Sequence, residues 1–234
     1  MITELIVTDI TNMHADRICI AAINRQGQSI RPLYKNRSIY RNWCSHSGHT
    51  IQQFSKIKLD LLYNRPMPPH TEDWIIDDNY KEVIGVIAET NRKSILEKIL
   101  DPHVQSIFGA VINQDGQGRY IFTGQGNRSL GTVRVNALED YHFGNYDGRN
   151  DYRLLFTDVA GNQYRIKVVD DRFQSFSDQL FKLNKNIDKT RSEILQRLQS
   201  KEIFLRVGLA RGWASYPTRC YLQITGVYTF PDYQ

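Results

Sequence analysis

Apolar and polar positions alternate with period two along much of the chain. In KIKLDLL, Ile57, Leu59 and Leu61 fall on one face, with Lys56, Lys58 and Asp60 on the other. QYRIKVV sets Tyr164, Ile166 and Val168 against Arg165 and Lys167. IFLRVGL gathers Ile203, Leu205, Val207 and Leu209, and CYLQITGVYTF gathers Leu222, Ile224, Tyr228 and Phe230. Successive side chains of a strand point to opposite faces, so each segment predicts a strand with one buried side. RICIAAI is apolar on both faces and predicts a more enclosed strand. NRQGQ then supplies a glycine-containing turn into SIRPL, which makes residues 17–33 a predicted hairpin.

Helical spacing is confined to two places. TNRKSILEKILDP puts Ile95, Leu96, Ile99 and Leu100 on one stripe before Pro102, with Ser94 and Glu97 at capping-box spacing and Thr90 or Asn91 as alternative caps. IDKTRSEILQRLQSK places Ile187, Ile194, Leu195 and Leu198 on one face of an amphipathic helix near 187–200, whose charged side reads as solvated. Glycines crowd residues 109–131 and mark the place where one unit gives way to another. The predicted fold is all-β with minor helix: two small, five-stranded Greek-key barrels of the OB type. The first unit is predicted to span residues 1–100, with a connector and a helix. The second spans 101–234 and carries the amphipathic helix.

Composition fits this picture. The chain has 234 residues and is 41% hydrophobic, enough for folded cores. No apolar run approaches the roughly 18 residues a membrane span needs, and the start lacks the pattern of a secretory signal. Cys19, Cys44 and Cys220 are few and far apart, which suits a reducing cytoplasm. Net charge is +5. Between Asp16 and Asp60 there is no acidic residue, while Arg17, Arg25, Arg31, Lys35, Arg37, Arg41, Lys56 and Lys58 lie there. A second acid-free stretch, from Glu202 to Asp232, holds Arg206, Arg211 and Arg219. Such segregation predicts positive potential on particular surfaces, and hence a polyanionic partner.

Two runs join that charge to aromatic rings. RPLYKNRSIYRNW carries Arg31, Tyr34, Lys35, Arg37, Tyr40, Arg41 and Trp43; LARGWASYPTR carries Arg211, Trp213, Tyr216 and Arg219. Basic side chains neutralise phosphates and flat rings stack on unpaired bases, the combination that single-strand binders use. The competing reading has the rings anchor their loops, with Trp213 capping a barrel end. PPHTEDW raises a different chemistry. His70 beside Glu72 and Asp73 has the make-up of an acid–base or metal pair, whereas a stiff connector would seat Trp74 between the barrels. Cys44, His46 and His49 in CSHSGH are zinc-type ligands without a second cysteine pair, so no metal is expected. TGQGNRSLG lacks the Gly-Lys-Ser/Thr ending of a P-loop, although Asn127 and Arg128 are placed to reach a phosphate; YDGRNDYR reads as a turn with Arg149 beside it. No catalytic signature appears, and no cofactor is expected.

RICIAAI with SIRPLY, then PMPPHTEDWIIDD, then RVGLARGW with RCYLQITGVYTFPDY together resemble the bacterial dual-OB-domain proteins. That resemblance implies two OB-like barrels, a nucleic-acid-binding role and a place in bacterial or phage-conflict loci, with a protein partner from the same locus. It implies no established reaction. Two functions of different class follow: a binding module for nucleic acid, single-stranded favoured, or an enzyme or nucleotide-type ligand sensor with its site near PHTEDW where the barrels meet.

Overall fold

The computed structural model describes residues 1–146 and 149–234. The first barrel opens with β1 (Ile2–Asn12), β2 (Ile18–Ile23) and β3 (Ser29–Leu33). A 3-10 turn at Arg41–Cys44 and a two-residue hairpin, β4 (Ser45–His46) with β5 (His49–Thr50), lead to β6 (Ser55–Asn64) and β7 (Asp73–Val86). The ring closes in the order β1-β2-β3-β7-β6, with β3 and β7 parallel. A connecting helix, α1 (Glu89–Lys98), and a short hairpin, β8 (Asn113–Asp115) with β9 (Gly118–Phe122), follow.

The second unit contains β10 (Leu130–Tyr146), β11 (Arg149–Asp158), β12 (Gln163–Val168), α2 (Asp171–Asn184), α3 (Ile187–Gln199), β13 (Glu202–Leu209) and β14 (Arg219–Phe230). Its strands run β12-β11-β10-β13-β14, and β12 also pairs in parallel with β14. Five strands therefore close on themselves in the same order as in the first barrel. β9 pairs with the first residues of β14, where β12 does not reach. Both units are OB-type barrels, as the alternation predicted.

Alternation holds where a strand faces a barrel interior. Ile57, Leu59 and Leu61 join Leu5, Val7, Ile20 and Trp43 in the first core. Tyr164, Ile166, Val168, Leu205 and Val207 join Phe156, Phe173 and Ile194 in the second. It fails at two bulges. In β14, Arg206 faces Gly226 and Val207 faces Ile224, so Thr225 is an extra residue. An inserted residue reverses the parity of everything after it. Leu222, Ile224 and Val227 face the barrel interior, but Tyr228 and Phe230 turn out toward Phe54, Leu96 and Phe204, between the barrels. In β1, Thr8 is the extra residue between Val7 and Asp9.

The two bulges meet. Asp9 and Arg206 are 2% and 1% exposed, and the Arg206 Nε lies 3.1 Å from an Asp9 carboxylate oxygen. The hydroxyls of both bulge residues, Thr8 and Thr225, donate to the same carboxylate. Arg206 Nη1 reaches Thr132 Oγ1 at 3.1 Å, and the Tyr228 hydroxyl donates to the carbonyl of Thr8. Gly226 lets these groups close up: a Cβ there would stand 2.8 Å from the Tyr228 ring and 3.2 Å from the Arg206 stem. Beside this pair, Asp170 caps α2 by accepting from the Arg172 N–H, and it also accepts from Gln53 of the first barrel and from the Val227 N–H.

The helices depart from expectation. α1 starts at Glu89, so Ser94 lies mid-helix and donates to the Asn91 carbonyl instead of capping; no side chain caps this helix. α3 matches the predicted amphipathic helix, although Ile187 is exposed at its start. α2 is not among the predicted elements, yet Phe173, Phe176 and Leu180 have helical spacing behind Asp170. The turn expected in YDGRNDYR falls on residues 147–148, outside the described residues, as does the Arg149 side chain.

Breaking a buried, hydrogen-bonded ion pair from one side strands the other charge. Asp9→Ala is therefore expected to cost about 3–5 kcal/mol in urea denaturation, and the double change Asp9→Leu with Arg206→Met less than that.

Candidate nucleic-acid interface

Because the barrels share one strand order, the link from β6 to β7 (65–72) and the link from β13 to β14 (210–218) are equivalent connections. Fold packing gives them different work. The first docks on the second barrel. Glu72 accepts from the N–H groups of Ser129 and Leu130, at 2.6 and 3.0 Å, and from the Ser129 hydroxyl. Thr71 donates to the Asn127 carbonyl at 2.6 Å, and the Gly124 N–H donates to Pro68.

Glu72 and Asp73 point apart, as adjacent residues on extended chain must. Asp73 holds two guanidinium groups: Arg31 of β3 at 3.3 Å, and Arg211 of the second link. The Arg31 Nη2 also donates to Ser129 Oγ at 2.6 Å. His70 is buried, with its Nε2 3.2 Å from the Leu209 carbonyl. Burial, then the charges of Arg31 and Arg211, push its pKa down to about 3. The imidazole is thus neutral and donates its Nε2–H to that carbonyl. Both carboxylates are consumed by partners, and the histidine has no carboxylate to work with. The segment is a joint between barrels. Trp74 is not in that joint; its half-buried ring packs on the first core, because it lies one residue past Asp73 and takes the opposite face of β7.

A cleft of about 660 Å³ opens between the barrels. Its floor is the outer face of β2 and β3, with Cys19, Ala21 and Arg31, and its far wall is Gly208, Gln223 and Thr225 of the second barrel. Over its mouth stand the aromatic and basic residues of both runs: Tyr34 and Arg37 on one side, Arg211 and Trp213 on the other. The Arg37 guanidinium lies 4.1 Å above the Tyr34 ring, and Trp213 is 45% exposed.

Not all the predicted residues meet there. Lys35 and Tyr40 are exposed beside the cleft without lining it. Arg41 makes a two-pronged ion pair with Asp171 at 2.9 Å and so latches its loop to α2. Trp43 is buried in the first core beneath the Lys81 ammonium, so its ring is given to packing and not to a ligand. Tyr216 and Arg219 turn outward into an aromatic cluster. Arg219 lies 4.8 Å from the Tyr120 ring and 5.1 Å from that of Tyr216, and Trp213 touches both Tyr216 and Tyr221. Trp213 is thus the ring that joins the cleft to the outer cluster.

The acid-free stretches do not survive folding as uncompensated surfaces. Arg17 and Lys35 pair with no acid among the described residues, but most cations of these stretches find acids on distant strands: Arg25 and Lys56 at Glu4, Lys58 at Glu82, Arg37 at Asp78, Arg219 at Asp115. Arg128 is likewise taken, by Asp101. Cys44, His46 and His49 fall in the β4–β5 hairpin and the turn before it, and among the described residues no group of three or more His, Cys, Asp or Glu is placed to hold a metal ion.

Two barrels of one topology, joined in tandem and facing each other across a cleft, agree with the sequence match to the dual OB-containing domain over residues 5–227. The chain belongs to that family. No curated protein matches it. Among solved structures it is similar to a chain of a replication protein A heterotrimer bound to single-stranded DNA, at 9% identity and a TM-score of 0.37, with 98% of this chain and 48% of that one covered. This chain therefore spans about half the length of that one. It is also similar to a murine DNA-binding protein bound with double-stranded DNA, at 8% identity and a TM-score of 0.33, with 98% and 96% covered. Among the described residues of this dual OB-containing chain, no helix is long and apolar enough to cross a membrane.

Sequence reading missed several residues of the cleft. Gln223 occupies the outward position between Leu222 and Ile224, whose inward face the alternation gives, whereas Cys19 and Ala21 lie on a strand that is apolar on both faces, where alternation does not tell outward from inward. Asn12 at the end of β1, and His14 and Arg17 in the β1–β2 link, carry no such signal.

The depressed pKa of His70 has a measurable consequence. Below about pH 6.5 the unfolded chain takes up a proton at this residue that the folded chain refuses until about pH 3, so the group withdraws stability as pH falls through that window. Asp170, raised to about 7 by burial, acts in the opposite direction between pH 4 and 7, so the whole-protein profile mixes the two. The difference between His70→Gln and the parent isolates His70. Urea denaturation is expected to show it shifting in favour of the variant by about 1.4 kcal/mol per pH unit between pH 6 and 4.

Proposed function

We propose that this protein binds nucleic acid, with single strands favoured over duplex, in the cleft between its two barrels. The observation that carries the reading is the cleft's composition. Its floor is the β2–β3 face, which OB barrels use for oligonucleotides, and the β13–β14 link of the other barrel reaches across it. Trp213 offers an exposed ring face for an unpaired base; Arg211 beside it, and Arg37, which lies over the Tyr34 ring and whose ion pair with Asp78 is exposed, stand at the cleft for phosphates. Arg211 spends one side of its guanidinium on Asp73, and its half-exposed head keeps donors for a ligand. The division of labour we propose assigns residues 1–100 the floor and 101–234 the closing loop.

A duplex cannot offer its base faces to Trp213, which is why single strands are favoured. Fluorescence anisotropy with single-stranded DNA, single-stranded RNA and duplex over a salt series tests this. Trp213→Ala is expected to cost about 1–3 kcal/mol of single-strand affinity with little change in salt slope. Arg211→Ala should weaken binding and make the slope shallower by about 0.7, one phosphate contact. Folded variants that bind as the parent does would take the cleft out of the reading.

A further inference from the structure

The outer face of the second barrel carries a row of cations that runs out of the cleft. Gln223, in the cleft wall, pairs in register with Lys167 of β12. Lys167 pairs with Arg153 of β11, and Arg153 with His142 of β10. The residues on either side of each, Val168 and Ile166, Leu154 and Tyr152, Tyr141 and Phe143, are all in the barrel core, so this row faces outward. With strands about 4.8 Å apart, the four positions span about 14 Å across the sheet. Arg165 stands two residues from Lys167 on the same face.

Like charges placed directly opposite on neighbouring strands destabilise a sheet. Here Arg153 faces Lys167, and among the described residues one carboxylate, Asp151, pairs with the row. Asp151 lies 2.6 Å from Arg153, 3.7 Å from Lys167 and 4.0 Å from His142. Among the described residues no carboxylate pairs with Arg165. The cations Arg153 and Lys167 are 33% and 46% exposed. Burial, followed by the charge of Arg165, lowers the pKa of His142, so the imidazole is neutral and the positive charge of the row lies on Arg153, Lys167 and Arg165. This face gathers Arg153 and Lys167 around Asp151, with Arg165 beside Lys167, and it abuts the cleft through Gln223.

We propose that Lys167 and Arg153, with Arg165 beside them, form a phosphate-binding track that receives the sugar–phosphate backbone of a single strand as it leaves the cleft. The proposal rests on the cleft being the base-binding site and gives that site a direction: the strand crosses β14, β12 and β11 in turn.

The test uses fluorescein-labelled oligothymidylates of about 6 and about 18 nucleotides, which bracket the reach of one OB barrel. The parent is expected to bind the longer one more tightly. In the double variant Arg153→Gln with Lys167→Gln that gain should vanish, while affinity for the shorter one holds. The salt slope for the longer one should become shallower by about 1.4, two phosphates at about 0.7 each. Lys167→Gln alone, at an exposed position, should give about half that change. An unchanged length gain and slope in the folded double variant would overturn the track. Trp213→Ala reports on the cleft separately: if it binds both lengths like the parent while the double variant loses the length gain, the cleft reading fails and the track stands. A parent that binds neither length overturns both.

Discussion

The arrangement of this protein depends on one buried charge pair. Asp9 and Arg206 come from strands of different barrels, and each is turned outward next to a bulge at a threonine. A desolvated carboxylate and guanidinium tolerate burial only in close, hydrogen-bonded register. Meeting that condition fixes where the barrels lie relative to each other. Hydrophobic contact around Phe54, Leu96, Phe204 and Tyr228 supplies area, which is indifferent to small slides. The ion pair and its two hydroxyl donors are not indifferent. A cleft with one wall from each barrel needs that placement to be definite.

A second joint, at the other side of the cleft, works by backbone recognition. Glu72 gathers the N–H groups of Ser129 and Leu130 at the start of β10, and Asp73 ties β3 of the first barrel to the closing loop of the second through Arg31 and Arg211. The cleft is framed between these two joints. His70 shows how dry the frame is, since its imidazole stays neutral far below its ordinary range.

Much of this was readable before folding. Ile57, Leu59, Leu61 and the 203–209 alternation gave the barrels, because an inward face is set by nearest neighbours along the strand. Tyr228 and Phe230 were misplaced because a single extra residue, Thr225, reverses parity, and nothing local announces it. Charge was the least legible property. Arg25, Arg37 and Arg219 stand in stretches without acids, yet strands bring Glu4, Asp78 and Asp115 to them from far along the chain. Of the candidate site, Arg31, Tyr34, Arg37, Arg211 and Trp213 share one cleft, whereas Trp43 went to the core because a large ring beside Ile39 and Ile51 loses more in water than it gains there.

The twin links between the fourth and fifth strands of the barrels have been put to opposite uses. Pro69, His70 and Glu72 of the first link are buried, so a change at His70 or Glu72 loosens the frame itself. Residues 212–218 of the second are exposed throughout and held mainly by the Trp213–Tyr216 turn. Substitutions there can reshape the mouth of the cleft while the barrels keep their places. The molecule thus separates a part that must stay constant from a part that is free to diversify, and under the proposed function a change of specificity belongs in the second link first.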